Sequence, residues 1–135
     1  AIENIFTVLS NITKNNFGLS KQNNEASSYC KKIIKQDSLI NFEMSSDEIY
    51  NKYRAYYEWP GIAFEHKHTI VKIKGMYVLD KNNTFLDDEI FKFDKSLLVA
   101  KTSDKTIVIT HLQFPNKNII SSTDAFNSYK KFFIK

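Results

Sequence analysis

The sequence predicts a small, mainly β barrel with flanking helices, carrying a helix-plus-linker extension at its N-terminal end. Three observations predict it. Period-two runs of β-branched and aromatic residues occupy the stretch from residue 62 to 112, amphipathic helical repeats flank that stretch, and the polar segment from Phe17 to Ser38 shows neither pattern. With 135 residues, 42% hydrophobic and 14% aromatic, the chain has apolar surface enough for one core and leaves little room for a second.

In the first dozen residues Ile2, Ile5, Phe6, Leu9 and Ile12 recur at spacings of three and four, which predicts an amphipathic helix ended by Asn15, Asn16 and Gly18. The polar stretch that follows, with Tyr29, Ile33 and Ile34 as its few apolar side chains, reads as an extended linker, a kind of connection that is usually functional or interdomain. A boundary near Asp37 to Leu39 therefore divides residues 1–38 from a barrel domain, 39–135. Ser45 followed by Glu48 is a capping-box pattern, and Asp47 and Glu48 suit the positive end of a helix. That helix should run from about Ser46 to Tyr57, bury Ile49, Tyr53 and Tyr56, and stop at Pro60.

Five strands are predicted next, at Ile62–Glu65, Thr69–Leu79, Ile90–Phe93, Ser96–Lys101 and Thr106–Leu112, with Ser103-Asp104 as a hairpin turn. In the second of them Ile70, Lys72 and Lys74 oppose Val71, Ile73 and Met76 only if Gly75 resets the register, so a bulge is expected there. Ser121 or Ser122 caps a last helix through about Phe133, with Ala125, Phe126, Tyr129 and Phe133 on one stripe.

Composition excludes several function classes. One cysteine, Cys30, rules out an internal disulfide and a cysteine-built zinc site. Gly18, Gly61 and Gly75 are too scattered to form a phosphate-cradling loop. No apolar run reaches the roughly 18–20 residues of a membrane span, and the opening AIENIFTVLS lacks the features of a signal peptide, so a soluble, cytoplasmic protein is expected. The formal net charge is +4, and Arg54 is the one basic residue that is not lysine. Lysine number alone is poor support for a polyanion partner here, since abundant Lys, Asn and Ile reflect AT-rich coding, and position has to carry the argument.

Two lysine clusters stand out: Lys14, Lys21, Lys31, Lys32 and Lys35 against Glu25 alone, and Lys67, Lys72 and Lys74 beside His66 and His68. Either could neutralise phosphates or be an ordinary solvated face. Asp87, Asp88, Glu89 and Asp94 place opposite charge elsewhere. His66 and His68 read as exposed hairpin histidines without the further ligands a metal needs, and His111 has no Ser or Cys partner, so neither a metal nor a catalytic site is expected. Arg54 could pair with Asp37 or Glu58, stack on an aromatic ring or clamp a phosphate; a structural role in ordering the linker is the preferred reading. Trp59, Tyr53, Tyr56, Tyr57 and Phe64 read as an aromatic plug under the barrel.

Three stretches together resemble the C-terminal domain of methionyl-tRNA formyltransferases. They are Tyr29 to Lys35 with Ile40-Asn41-Phe42, similar to the family's linker; IYNKYRAYYEWPGIAF from Ile49 to Phe64, similar to its helix ending in Trp-Pro-Gly; and TIVITHLQFPNKNIISS from Thr106 to Ser122, similar to its last strand and Ser-led helix. Arg54-Ala55 before Trp59-Pro60-Gly61 is the most specific of these. The resemblance implies an OB-like Greek-key barrel that holds initiator methionyl-tRNA, joined through a linker to the last helix of a catalytic domain. The parent would move a formyl group from 10-formyltetrahydrofolate to the methionyl amino group. Taken with the lysine clusters above, it makes Lys31, Lys32, Lys35, Lys72, Lys74 and Lys117 the candidate tRNA contacts, gives Arg54, Trp59, Pro60 and Gly61 a structural or linker-ordering role, and implies no catalytic residue, cofactor, DNA or membrane partner for this stretch alone. Two other readings are an accessory domain of a sugar-nucleotide formyltransferase and a standalone OB-like module.

Overall fold

The computed structural model describes residues 2–18, 20–80, 85 and 89–134, with the side chains of Ile2 and Glu3 left aside. Asp87 and Asp88, two of the acids singled out above, lie outside the described residues. The chain forms two units, residues 1–32 and 33–135.

In the first unit, helix α1 (Ile2–Thr13) ends where the asparagines predict. Asn15 takes the left-handed conformation at φ 53°, and the Asn16 N–H bonds the Asn11 carbonyl at 2.8 Å, satisfying one of the carbonyls left free at a helix end. Ile5, Phe6, Leu9 and Ile12 are exposed along it. Among the described residues after α1, this unit holds a 3-10 turn at Asn24–Ala26, capped by the Asn23 side chain.

The second unit holds helices α2 (Ser46–Ala55) and α3 (Ser122–Phe133) and, among the described residues, seven strands: β1 (Leu39–Ile40), β2 (Ile62–His66), β3 (Thr69–Leu79), β4 (Phe91–Asp94), β5 (Leu97–Lys101), β6 (Thr106–Gln113) and β7 (Ile119–Ser121). They form one sheet in the order β1-β2-β3-β6-β5-β4, with β7 also paired to β6. The domain is mainly β with flanking helices, as predicted. Two short strands escaped prediction: β1, which runs parallel to β2, and β7, which is three residues long. Segments that short carry no readable period.

The sheet curls until its far strands share one core. Phe64 of β2 and Phe91 of β4 lie 5.2 Å apart by ring centroids, and Phe42 packs edge-on against both, at 5.3 and 4.9 Å. Burying such rings yields roughly 1.5–3 kcal/mol each, and edge-on pairs add about 0.5–1.5 kcal/mol. Ile49 of α2 and Ala125 and Phe133 of α3 complete this core. Both helices start with capping boxes, Ser45 with Glu48 and Ser121 with Asp124. The Asp104 carboxylate, from the β5–β6 turn, also accepts the Ser46 N–H at 2.7 Å. That bond, helped by the Thr102 and Ser46 hydroxyls, holds the Asp104 carboxyl below the usual carboxylate range.

His66 departs from the expected exposed histidine. Its ring packs against Phe91 and Phe132 with centroids at 5.0 and 5.1 Å, and its Nε2–H donates to the Phe132 carbonyl at 2.9 Å. Burial among these rings disfavours the imidazolium and lowers the pKa from its ordinary 6.5, against a smaller opposing pull from the carbonyl. His68 behaves as expected and stays exposed.

The predicted bulge is present. Ile73 pairs with Leu112, Gly75 with His111 and Met76 with Ile109, so β3 gains a residue at Lys74 and β6 gains one at Thr110. A Cβ at Gly75 would stand 2.5 Å from Thr110 Oγ1 and 3.1 Å from His111 Nδ1. Gly75→Ala is therefore expected to cost about 1–3 kcal/mol by overpacking, read as a lower urea midpoint, and Thr110→Ala in the same chain should recover part of the loss. A second expectation concerns pH. The unfolded chain takes up the His66 proton near pH 6.5 and the folded chain only below that, so stability is full above this pH and falls as pH drops through the folded value. Urea midpoints measured between pH 7.5 and 5 should show this decline, and His66→Phe should flatten it.

Candidate nucleic-acid interface

The outward face of β3 follows from its alternation: Val71 and Ile73 are buried, Ile70 and Lys72 are exposed and Lys74 is half-buried. Two hollows open on this face. One, of about 380 Å³, is lined by Lys35, Leu39, Trp59, Pro60, Ile70 and Lys72 among others. The other, of about 400 Å³, lies between Ile70 and Lys72 on one side and Gln113, Phe114, Pro115 and Asn116 on the other. Ile70 and Lys72 thus form a wall common to both. Among the described residues no carboxylate lines either hollow, so no described acid neutralises the Lys72 charge within them.

Lys35 reaches this place because the chain before β1 is tied down. The Asp37 carboxylate accepts the Ile34 N–H at 2.8 Å, and the Ser38 hydroxyl donates to the Lys35 carbonyl at 2.6 Å. These bonds close the 3-10 turn Lys35–Ser38. The Lys52 ammonium, on α2, then donates to the carbonyls of Asp37 and Leu39, both at 3.2 Å. Trp59 is set by the turn that ends α2. Gly61 adopts φ 80°, favoured by glycine, and its N–H returns to the Tyr56 carbonyl at 2.8 Å. The Trp59–Pro60 peptide is cis.

Trp59 is the main correction to the sequence reading. It is 56% exposed and Tyr57 is 64% exposed, so neither belongs to an aromatic plug; Phe64 alone of that group is fully buried, with Tyr53 and Tyr56 half-buried against the core. Helix α2 ends at Ala55; past it Tyr56 still packs on the core, whereas Tyr57 and Trp59 do not follow the inward face. Arg54 bonds Asn51 Oδ1 at 2.5 Å and lies 5.4 Å from the Tyr50 ring centroid, choosing the aromatic rather than Asp37 or Glu58. The residue that ties down the connecting chain is Lys52, which sequence reasoning missed. Nothing in its spacing distinguishes it from a solvated helix lysine.

Of the lysines proposed to meet tRNA, Lys35 and Lys72 share a hollow. Lys74 stands further along β3, where its carbonyl faces the Tyr53 hydroxyl at 3.5 Å. Lys117 is exposed in the turn after β6, and its ammonium donates to the Tyr129 hydroxyl at 2.8 Å and lies 5.2 Å from that ring centroid. Lys31 and Lys32 are exposed in the other unit. His111 is also exposed, with Nδ1 3.2 Å from the Thr110 hydroxyl.

The sequence model described as "Formyl transferase, C-terminal domain" matches residues 32–130. Methionyl-tRNA formyltransferase of Finegoldia magna is 35% identical over 107 residues, covering 79% of this chain and 34% of that protein. The enzyme of the same name from Sulfurihydrogenibium is 34% identical over 127 residues, covering 93% and 41%. The chain thus spans well under half the length of these curated relatives. Among solved structures, HypX from Aquifex aeolicus superposes with a TM-score of 0.62 at 16% identity over 96% of this chain and 24% of its own. An N-formyltransferase from Helicobacter canadensis gives 0.52 at 23% identity over 81% and 38%. At these identities the structures establish a shared fold.

The Lys52 bridge is testable alone. Lys52→Met should lower stability by about 1 kcal/mol, the worth of an ordinary net hydrogen-bond contribution. Amide exchange should speed up selectively over residues 34–39 while the β3 and β6 amides keep their protection.

Proposed function

The chain belongs to the formyl transferase C-terminal domain family, and on that premise we propose that it is the tRNA-binding domain of a cytoplasmic methionyl-tRNA formyltransferase. Residues 39–135 are the barrel that holds the nucleic acid, and residues 1–38 are the linker and the last helix of a catalytic domain. The parent enzyme moves the formyl group of 10-formyltetrahydrofolate to the amino group of methionine on initiator tRNA. The observation that carries the tRNA role is the hollow that Lys35 and Lys72 border, with no carboxylate among its lining residues, in a chain about one-third identical to proteins named for that substrate.

The chemistry asked of this domain is electrostatic. Ammonium groups without neighbouring carboxylates replace the counterions condensed on RNA phosphates, and their release favours binding. Fixing the tRNA body in this way orients its distant reacting amine without touching it, which converts binding energy into positioning. Phosphates carry no sequence information, so affinity rather than initiator identity is what these lysines supply.

Filter binding of tRNA at 50 to 200 mM salt tests this reading. Binding should weaken with salt, and Lys35→Gln with Lys72→Gln should reduce the slope of log affinity against log salt by about 0.7–0.9 for each lysine. The chain alone should form no formylmethionyl-tRNA. Salt-independent binding, or none at the lowest salt, would sink the tRNA role and leave the barrel as a packing module.

A further inference from the structure

The geometry points to Trp59 as a stacking platform for one unpaired nucleobase of a bound RNA, with Lys35 and Lys72 gripping the phosphates on either side of it. This rests on the tRNA-binding reading and adds to it a contact with a base. A large indole is rarely left in solvent without use, and Trp59, at 56% exposure, lines a hollow rather than a convex surface. The walls of the hollow are the half-exposed side chains Leu39 and Ile70, at 41% and 48%, with Pro60 beside the indole. Its volume, about 380 Å³, falls within the roughly 300–1,000 Å³ of small-ligand clefts.

Charge selects the occupant. A nucleotide has a flat π-face joined to an anionic phosphate, and this hollow offers an indole and two cations with no acid in its lining. An apolar peptide side chain would leave both ammonium groups unmatched, whereas a nucleotide satisfies indole and lysines together. Duplex RNA cannot make this contact, because its bases hide their faces in the stack and its major groove is too narrow for an indole; the base must come from a loop or an end. The tied-down Lys35 turn and the β3 ladder fix the backbone that carries the two cations before RNA arrives, which limits the ordering cost of binding.

Trp59 is the single tryptophan of the chain, so its emission reports on this hollow without a label. The whole chain would be titrated with a single-stranded oligo(A) tetranucleotide, with an abasic ribose-phosphate tetramer of the same length, and with tRNA in the filter assay. The expected result is quenching of emission by oligo(A), little change with the abasic tetramer, and about ten-fold weaker oligo(A) binding by Trp59→Ala. Trp59→Phe should fall in between, with unchanged circular dichroism in both variants. If tRNA binds with the expected salt dependence while emission stays flat and Trp59→Ala binds oligo(A) as tightly as the parent chain, the stacking site is wrong and the tRNA reading survives. Equal quenching by the abasic tetramer also overturns stacking, leaving a phosphate contact only. Failure of tRNA and tetranucleotide alike to bind overturns both readings.

Discussion

Between Ile73 and Met76, strand β3 runs one residue ahead of β6 at Lys74 and falls back into step opposite Thr110, and the placement of charge and core in this domain hangs on that exchange. In a strand, successive side chains point to opposite faces, so an uncorrected run would turn Met76 outward with Lys72 and Lys74. The two compensating shifts keep Val71, Ile73 and Met76 inside while Lys72 stays in water. Only a residue without a Cβ fits where Thr110 and His111 close in. A single glycine therefore lets one long strand serve both the core and a basic face.

The second requirement of that face is that Lys35, which precedes the sheet, be held against it. Its 3-10 turn is only four residues long, and such a turn is weak by itself. The Lys52 ammonium strengthens it by bridging two carbonyls on either side of Ser38. A lysine used in this way contributes geometry rather than charge for a ligand. The two roles of lysine in this domain are therefore distinct: Lys52 holds internal carbonyls, whereas the hollow lined by Lys35 and Lys72 contains no acid among its lining residues to oppose them.

Much of this was legible in the sequence because local rules and the final fold agree. The capping box at Ser45, a cap at Ser121 or Ser122, the bulge at Gly75 and the buried stripe of Ala125 and Phe133 are each written in spacings that a reader can count. Lys35 and Lys72 were also named from the sequence, but their sharing a hollow was not legible, since they come from elements far apart in the chain. Trp59 was misread because the stripe of α2 was extended past its end, where a turn and not a helix sets side-chain direction. His66 was misread for a related reason: its partners Phe91, Phe132 and Phe133 arrive from β4 and α3, and no local pattern announces them. Lys52 finds carbonyls 13 and 15 residues away, which lysine content cannot reveal.

The bond from Asp104 to Ser46 spans 58 residues. On a ribosome making about 5–20 residues per second, the start of α2 would wait several seconds before the acid that completes its cap emerges. Until then the Ser45 and Glu48 pair alone guards the amides at that end. The helix and the β5–β6 hairpin consequently mature as one event, and a nascent chain halted between them would present a frayed α2 to the chaperones and proteases that survey unfinished polypeptides.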